Sequence, residues 1–318
     1  MILPKSNPIV LAAALIGLGT CVLSAAQPST LPTVTVTDSD EVIAHDVLSG
    51  PYNQPEWTEH RIFGTTRVYI QQEPGEIGFE QWWRPRTFND GPPSHRFIEE
   101  LEIGLPNRFQ LDLYYKWLNK ESKTYTDEVA VELRWALADW GVIPFNPTLY
   151  LEYAFVNNQH GGDVIEAKLL LGDNIGKNWQ WGLNFIFESE VSQALTKKVA
   201  VAGGLNYSFS PRLAAGIEAQ WAHETVAGGR ADPEIQFQVG PSMQYRLSKT
   251  THLDLVCLFG CTKESPQTES YLIFGWDFGG SEAAVPSSGG KNPKGVRNVN
   301  PTSSDSPDRY TPVAGRQL

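Results

Sequence analysis

From Phe109 to Leu118 the chain reads FQLDLYYKWL, with Phe109, Leu111, Leu113, Tyr115 and Trp117 apolar and Gln110, Asp112 and Lys116 between them. The alternation returns in VAVELRWAL, where Val129, Val131, Leu133, Trp135 and Leu137 stand against Glu132 and Arg134. LYLEYAF, WQWGLNFIF and IQFQVGPSMQYRL repeat it. A period of two is the signature of a strand, because successive side chains of an extended backbone point to opposite faces; an amphipathic helix would space its apolar residues three and four apart. GLPNRFQLDL, YSFSPRLAAGI and YRLSKTTHLDL each pass through a Pro, Asn or Ser turn and a basic residue into the next strand, which predicts hairpins. Counting from Glu76 gives about twelve strands, near 76–86, 94–104, 109–119, 124–138, 147–157, 162–173, 178–189, 195–208, 212–223, 231–247, 250–259 and 267–278. The connections PN, DNIGK, SP and SKTT are mostly tighter than NNQHGG or HETVAGGRAD, and VIPFNP alone breaks the rule.

A soluble sandwich also alternates, so the period does not say which solvent lies on each side. The polar positions do. They include Glu100, Glu102, Asp112, Lys116, Glu128, Glu132, Arg134, Glu152, Glu166, Lys168, Glu218, Glu234 and Arg246, a persistent charge that fits a lumen lining. The apolar face carries an expected lipid-facing girdle of Phe109, Trp117, Trp135, Trp179, Trp181, Phe187, Tyr207, Phe209, Trp221, Trp276 and Phe278. A strand of ten or eleven residues rises roughly 33–37 Å, which at a tilt near 45° crosses the ~25 Å apolar band of an outer membrane. The expected fold is all-β, a single antiparallel up-and-down transmembrane β-barrel, placed at residues 64–279. The expected location is the outer membrane, with its lipid as the surrounding partner.

The ends differ from this body. Lys5, the run IVLAAALIGLGTCVLSAA and the small residues Ser24 and Ala26 have the order of a secretory signal peptide, residues 1–26, cleaved after Ala26. Residues 27–63 lack sustained periodicity and are expected to form an extended, weakly ordered lead. Residues 280–318, rich in Ser, Gly, Pro and Asn, are expected to be a disordered tail. The net charge of -11 gives no basic footprint and excludes a nucleic-acid partner. Cys257 and Cys261 are expected as unpaired thiols. The six histidines, His45, His60, His95, His160, His223 and His252, have no metal-ligand spacing, so no metal or other cofactor is expected and solvated histidines are. Ser94 beside His95, and His223 beside Glu224, are single fragments of a nucleophile and base pair.

Together with PGEIGFEQWWRPR and the closing YLIFGWDFGG, the turns of GLPNRFQLDL and SFSPRLAAGI resemble the bacterial outer-membrane barrel family of transporters of the phenol-degradation MetA-pathway type, over roughly residues 74–279. The resemblance implies export or uptake of small molecules and carries no catalytic residues. Phe278 resembles the terminal aromatic of barrel-assembly signals, implying the assembly machinery as a partner, although about forty residues follow it. The expected function is a passive channel for small polar solutes with a mildly cation-favouring lumen and no enzymatic activity. A lipid-modifying enzyme of the outer leaflet and a non-conducting structural barrel stand as alternatives.

Overall fold

The alternating segments pair into one closed sheet. The computed structural model describes residues 48–278, so the expected signal peptide, residues 27–47 of the lead and the tail lie outside the described residues. Two short strands come first and pair with each other, β1 (Leu48–Ser49) and β2 (Gln54–Pro55). The barrel then consists of β3 (Ile77–Thr87), β4 (Ser94–Leu105), β5 (Phe109–Lys120), β6 (Lys123–Ala136), β7 (Thr148–Val156), β8 (Val164–Ile175), β9 (Trp179–Glu190), β10 (Lys197–Ser210), β11 (Leu213–Thr225), β12 (Glu234–Arg246), β13 (Thr251–Gly260) and β14 (Thr268–Phe278). Each pairs antiparallel with the next, and β14 pairs with β3 from Thr268↔Thr87 to Phe278↔Ile77. Closure leaves no unpaired edge, which hydrocarbon would not tolerate. The strand limits agree with the sequence expectation to within three residues.

The faces are inverted relative to a water-soluble protein. Leu113, Leu133, Phe185 and Trp276 point outward and are 38% or more exposed, while their neighbours Asp112, Glu132, Asn184 and Asp277 point inward and are buried. Apolar side chains outside and charge inside make this a membrane-spanning barrel rather than a sandwich. All eleven girdle residues fall on the outward side of the alternation. Phe109, Trp135, Trp179, Trp181, Tyr207, Phe209, Trp276 and Phe278 lie toward the end of the barrel that carries the tight turns, and Trp117, Phe187 and Trp221 toward the other. Several stack across strands, as Phe109 does on Trp135 with ring centroids 5.5 Å apart.

The expected lead needs correction from Leu48 onward, and the expected barrel start at residue 64 falls 13 residues before β3 begins. Residues 50–73 lie inside the barrel. Their large apolar groups, Tyr52, Trp57, Ile62, Phe63, Val68, Tyr69 and Ile70, are all buried and form the main apolar cluster among the described residues. A weakly ordered lead cannot do that. This segment is a plug.

Candidate functional site: a plugged lumen

The plug makes a closed excursion. It starts at the tight-turn end, where the Trp140 amide donates to the Tyr52 carbonyl (2.9 Å) and the Arg108 amide to the Tyr52 hydroxyl (3.1 Å). At its far reach, Glu218 of β11 accepts from the amides of Gly64 (2.9 Å) and Thr65 (2.7 Å). The return leg is held by Asn184 of β9, whose side chain accepts from the Arg67 amide (2.8 Å) and donates to the Arg67 carbonyl (2.7 Å). Gln110 of β5 accepts from the amides of Gln71 and Gln72 at 2.7 and 3.1 Å. Asn206 of β10 donates to the Ile62 carbonyl at 2.6 Å. A backbone without its own sheet or helix must find partners for its amides and carbonyls, and the inward polar residues supply them.

Two local features of the wall fit the plug. Gly172, Gly182 and Gly204 are directly paired across β8, β9 and β10, forming a row with no side chains on the inner face. Val68, Thr66 and Phe63 fill that row, so close that a Cβ at any of the three glycines would meet a plug atom at 2.4–2.7 Å. The second feature is the loop between β6 and β7, the VIPFNP connection that is long where its neighbours are tight. Its leading residues clasp the plug: Tyr69 donates to the Ala138 carbonyl (2.8 Å), and the Trp140 ring meets the edges of Trp57 and Tyr69 at 5.6 and 5.3 Å. The sequence irregularity has a structural purpose.

At mid-wall the contact is ionic. Arg61 of the plug meets both oxygens of Glu80 (Nε, 3.0 Å to each) and lies 3.5 Å from Glu100. Arg67 bonds Glu100 at 2.5 Å and Glu102 at 3.4 Å. Arg134 of β6 bonds Asp112 and Glu132, the latter at 2.5 Å, and Tyr114 donates to Glu100 at 2.8 Å. Five buried wall carboxylates thus meet three guanidinium groups, two of them from the plug. The carboxylates of Glu80, Glu100 and Glu102 approach within 4.8 Å of one another, as do those of Glu100, Asp112 and Glu132. A divalent ion there would have to compete with the arginines already seated.

Nearer the tight-turn end, two histidines expected to be solvated are buried together. His60 of the plug and His252 of β13 have ring centroids 5.8 Å apart. Nε2 of His60 lies 2.9 Å from the Arg246 guanidinium, which can only donate, so Nδ1 carries the proton and donates to Asp277 at 3.0 Å. Burial, the largest influence, drives the His60 pKa below its ordinary value against the upward pull of Asp277. Beyond the plug lies the other half of the barrel interior. There Lys116 bonds Glu128 (2.5 Å) and Glu152 (3.2 Å), Lys168 bonds Glu166 (2.5 Å), and Arg84 and Arg86 share Glu269.

The residues singled out from the sequence therefore divide into groups. Glu100, Glu102, Asp112, Glu132 and Arg134 meet at the ionic centre, Glu218 and Arg246 hold the plug, and Lys116, Glu128, Glu152, Glu166 and Lys168 pair with one another beyond the plug. Glu234 is exposed at the start of β12, paired in register with Glu224. Sequence reasoning missed Arg61, Arg67, His60, Glu80, Trp82 and Tyr114. The signal for Glu80 and Trp82 was present in IGFEQWWRPR, whose inward set is Gly78, Glu80, Trp82, Arg84 and Arg86. Ser94 and His95 point to opposite faces of the wall, as do His223 and Glu224, so neither fragment assembles a catalytic pair.

Against known proteins, no family model matches the chain and no curated protein does. Solved structures do. The COG4313 outer membrane channel from Pseudomonas putida F1 superposes with a TM-score of 0.51 at 10% identity, covering 69% of this chain and all of that one. The two share the fold of a closed antiparallel β-barrel. Two further barrels superpose more loosely: the NanC porin (TM-score 0.48, 12% identity, 64% of this chain and 98% of that one) and the KdgM porin (0.43, 13%, 64% and 99%). At these identities the likeness concerns fold alone.

Proposed function

We propose that this chain is a passive outer-membrane channel for small polar solutes, held closed in this conformation by residues 50–73. The observation that carries the reading is a closed barrel whose middle is filled by a segment from outside the wall, joined to it through polar contacts that water or solute can replace. The motif resemblance to barrels of the phenol-degradation MetA-pathway type supports the same class of role. With the plug withdrawn, Glu80, Glu100, Glu102, Asp112 and Glu132 would face the lumen with Arg134 as their wall base, and such a lining enriches cations. The surrounding outer-membrane lipid and the barrel-assembly machinery are the partners this reading requires. The near-complete burial of Glu100, Asp112 and Glu132 favours a second reading, a non-conducting structural barrel.

Planar-bilayer recording of the full chain under a salt gradient decides between them. A channel gives intermittent openings with cation preference that fades at high salt, as screening shortens below the pore radius. Anion preference would refute the acidic lining. Silence both here and in a variant with a loosened plug would leave the structural barrel.

A further inference from the structure

The plug's arginines sit on a receptor that belongs to the wall. Glu80 and Trp82 project from β3, Glu100 and Glu102 from β4 and Tyr114 from β5, all fixed by the strand register. The Arg61 guanidinium lies 4.3 Å from the centroid of the Trp82 ring, with both Glu80 oxygens along its edge. The Trp82 indole in turn donates to Glu80 Oε2 at 2.9 Å, holding that carboxylate in place. Arg67 occupies a second position, 5.6 Å from the same ring and bonded to Glu100. A flat cation bearing N–H donors at its rim is what such a surface recognises. Carboxylates take the edge in fork geometry and the indole quadrupole takes the face. An inorganic cation has no face to offer the indole, and an anion meets only carboxylates.

Resting on the channel reading above, we propose that this part of the wall is a binding site for organic cations carrying a guanidinium group, and that the plug closes the pore by presenting Arg61 and Arg67 as built-in ligands. A solute of that class competes for the site and opens the pore as it binds. Because the internal ligand is tethered, it acts at an effective concentration of order millimolar. Opening of the wild-type protein therefore requires solute at or above that level, whereas a chain lacking the Arg61 head takes up the free cation directly.

The experiment uses the full chain with Arg61→Ala, probed with methylguanidinium in planar bilayers. Millimolar methylguanidinium should open wild type, and the variant should open more often than wild type without it and respond to lower concentrations. Potassium at matched ionic strength should have no effect, and methylammonium should act about tenfold more weakly, lacking the planar fork. Adding Trp82→Leu should weaken this opening response by about tenfold. Equal opening by methylguanidinium and potassium, or opening by neither, overturns the site. If Arg61→Ala fails to assemble, judged by loss of heat-modifiable migration, calorimetry on wild-type protein with agmatine takes its place. Binding abolished by Glu80→Gln supports the site, and absence of binding overturns it. Agmatine binding to a barrel that never conducts would refute the channel while keeping the site, so the two failures are distinguishable.

Discussion

Gly182→Val should release the plug and leave the wall standing. Gly182 lies on β9 between its register partners Gly172 and Gly204, facing inward. A Cβ there would fall 2.7 Å from Val68 Cγ2, 2.9 Å from Thr66 Cγ2 and 3.3 Å from Phe63 Cε2, all of them plug atoms, where ordinary contact begins at 3.4 Å. The Cβ alone requires the plug to retreat by 0.5–0.7 Å, and the valine methyls require more. Phe63, Thr66 and Val68 are already 1%, 2% and 8% exposed, so there is no slack to absorb them. Overfilling a packed site costs ~1–3 kcal/mol, and a shift of that size multiplies the open-to-closed ratio by about 5- to 150-fold. The strand itself should gain, because valine favours extended backbone and glycine weakens a strand interior. The measurements are open probability in planar bilayers and heat-modifiable migration in detergent. Wild-type closure with unchanged migration would refute the claim that the glycine row seats the plug. Loss of migration would show that the wall, not the plug, needs the glycine.

Four further predictions follow from the same geometry. The docked His60 has a lowered pKa, so an undocked plug takes up a proton more readily; docking is at full strength above the ordinary histidine pKa near 6.5 and weakens as pH falls below it. Asp277 of β14, Arg246 of β12 and His252 of β13 face the ring, and Glu56 holds Arg246 at 2.7 Å. Opening should therefore increase from pH 7.5 to 5.5 in wild type. It should not in His60→Gln, which can still donate to Asp277 and accept from Arg246, and matching pH profiles would sink the idea. Leu133→Arg, on the outward face, should destabilise the barrel by ~2–4 kcal/mol in lipid unfolding titrations. Asn184→Arg, which alternation alone would make mild, should leave unfolding nearly unchanged but raise open probability, because Asn184 holds both backbone groups of Arg67. Trp140→Ala removes two edge contacts at the base of the plug and should cost about 1 kcal/mol of closure, read as a several-fold rise in opening.

Strands were legible because a barrel wall imposes one rule at every residue. An outward position meets lipid and an inward one meets polar groups, so twelve segments repeat the same period and the error at any one end stays small. Plug residues obey no such rule. Their partners, Asn184, Asn206, Glu218 and Gln110, lie 38 to 154 residues away in sequence, and each contact is specified pairwise rather than periodically. A compositional trace was present: EWTEHRIFGTTRVYIQQ carries more large apolar and aromatic groups than a solvated lead needs. The extra length of VIPFNP marked the place where something had to be clasped.

The chemistry of attachment bears on whether the segment can leave. An apolar plug would be held by burial at roughly 25 cal/mol per Å² and would have no competitor in water. Arg61, Arg67 and His60 are instead held by carboxylates that regain hydration or a counter-ion on release, so the ion pairs fix where the plug docks while adding little net stability. Part of the apolar grip lies at the base, where Tyr52, Trp57 and Tyr69 meet Trp140 or its loop, and part at the glycine row, where Phe63 and Val68 pack. A segment whose middle depends in part on exchangeable charge, while its base rests on apolar and backbone contacts, loosens at its middle first. On that division, conditions that screen or titrate the ionic centre should open the pore before the base detaches, and Trp140 fluorescence should stay unchanged while conductance rises.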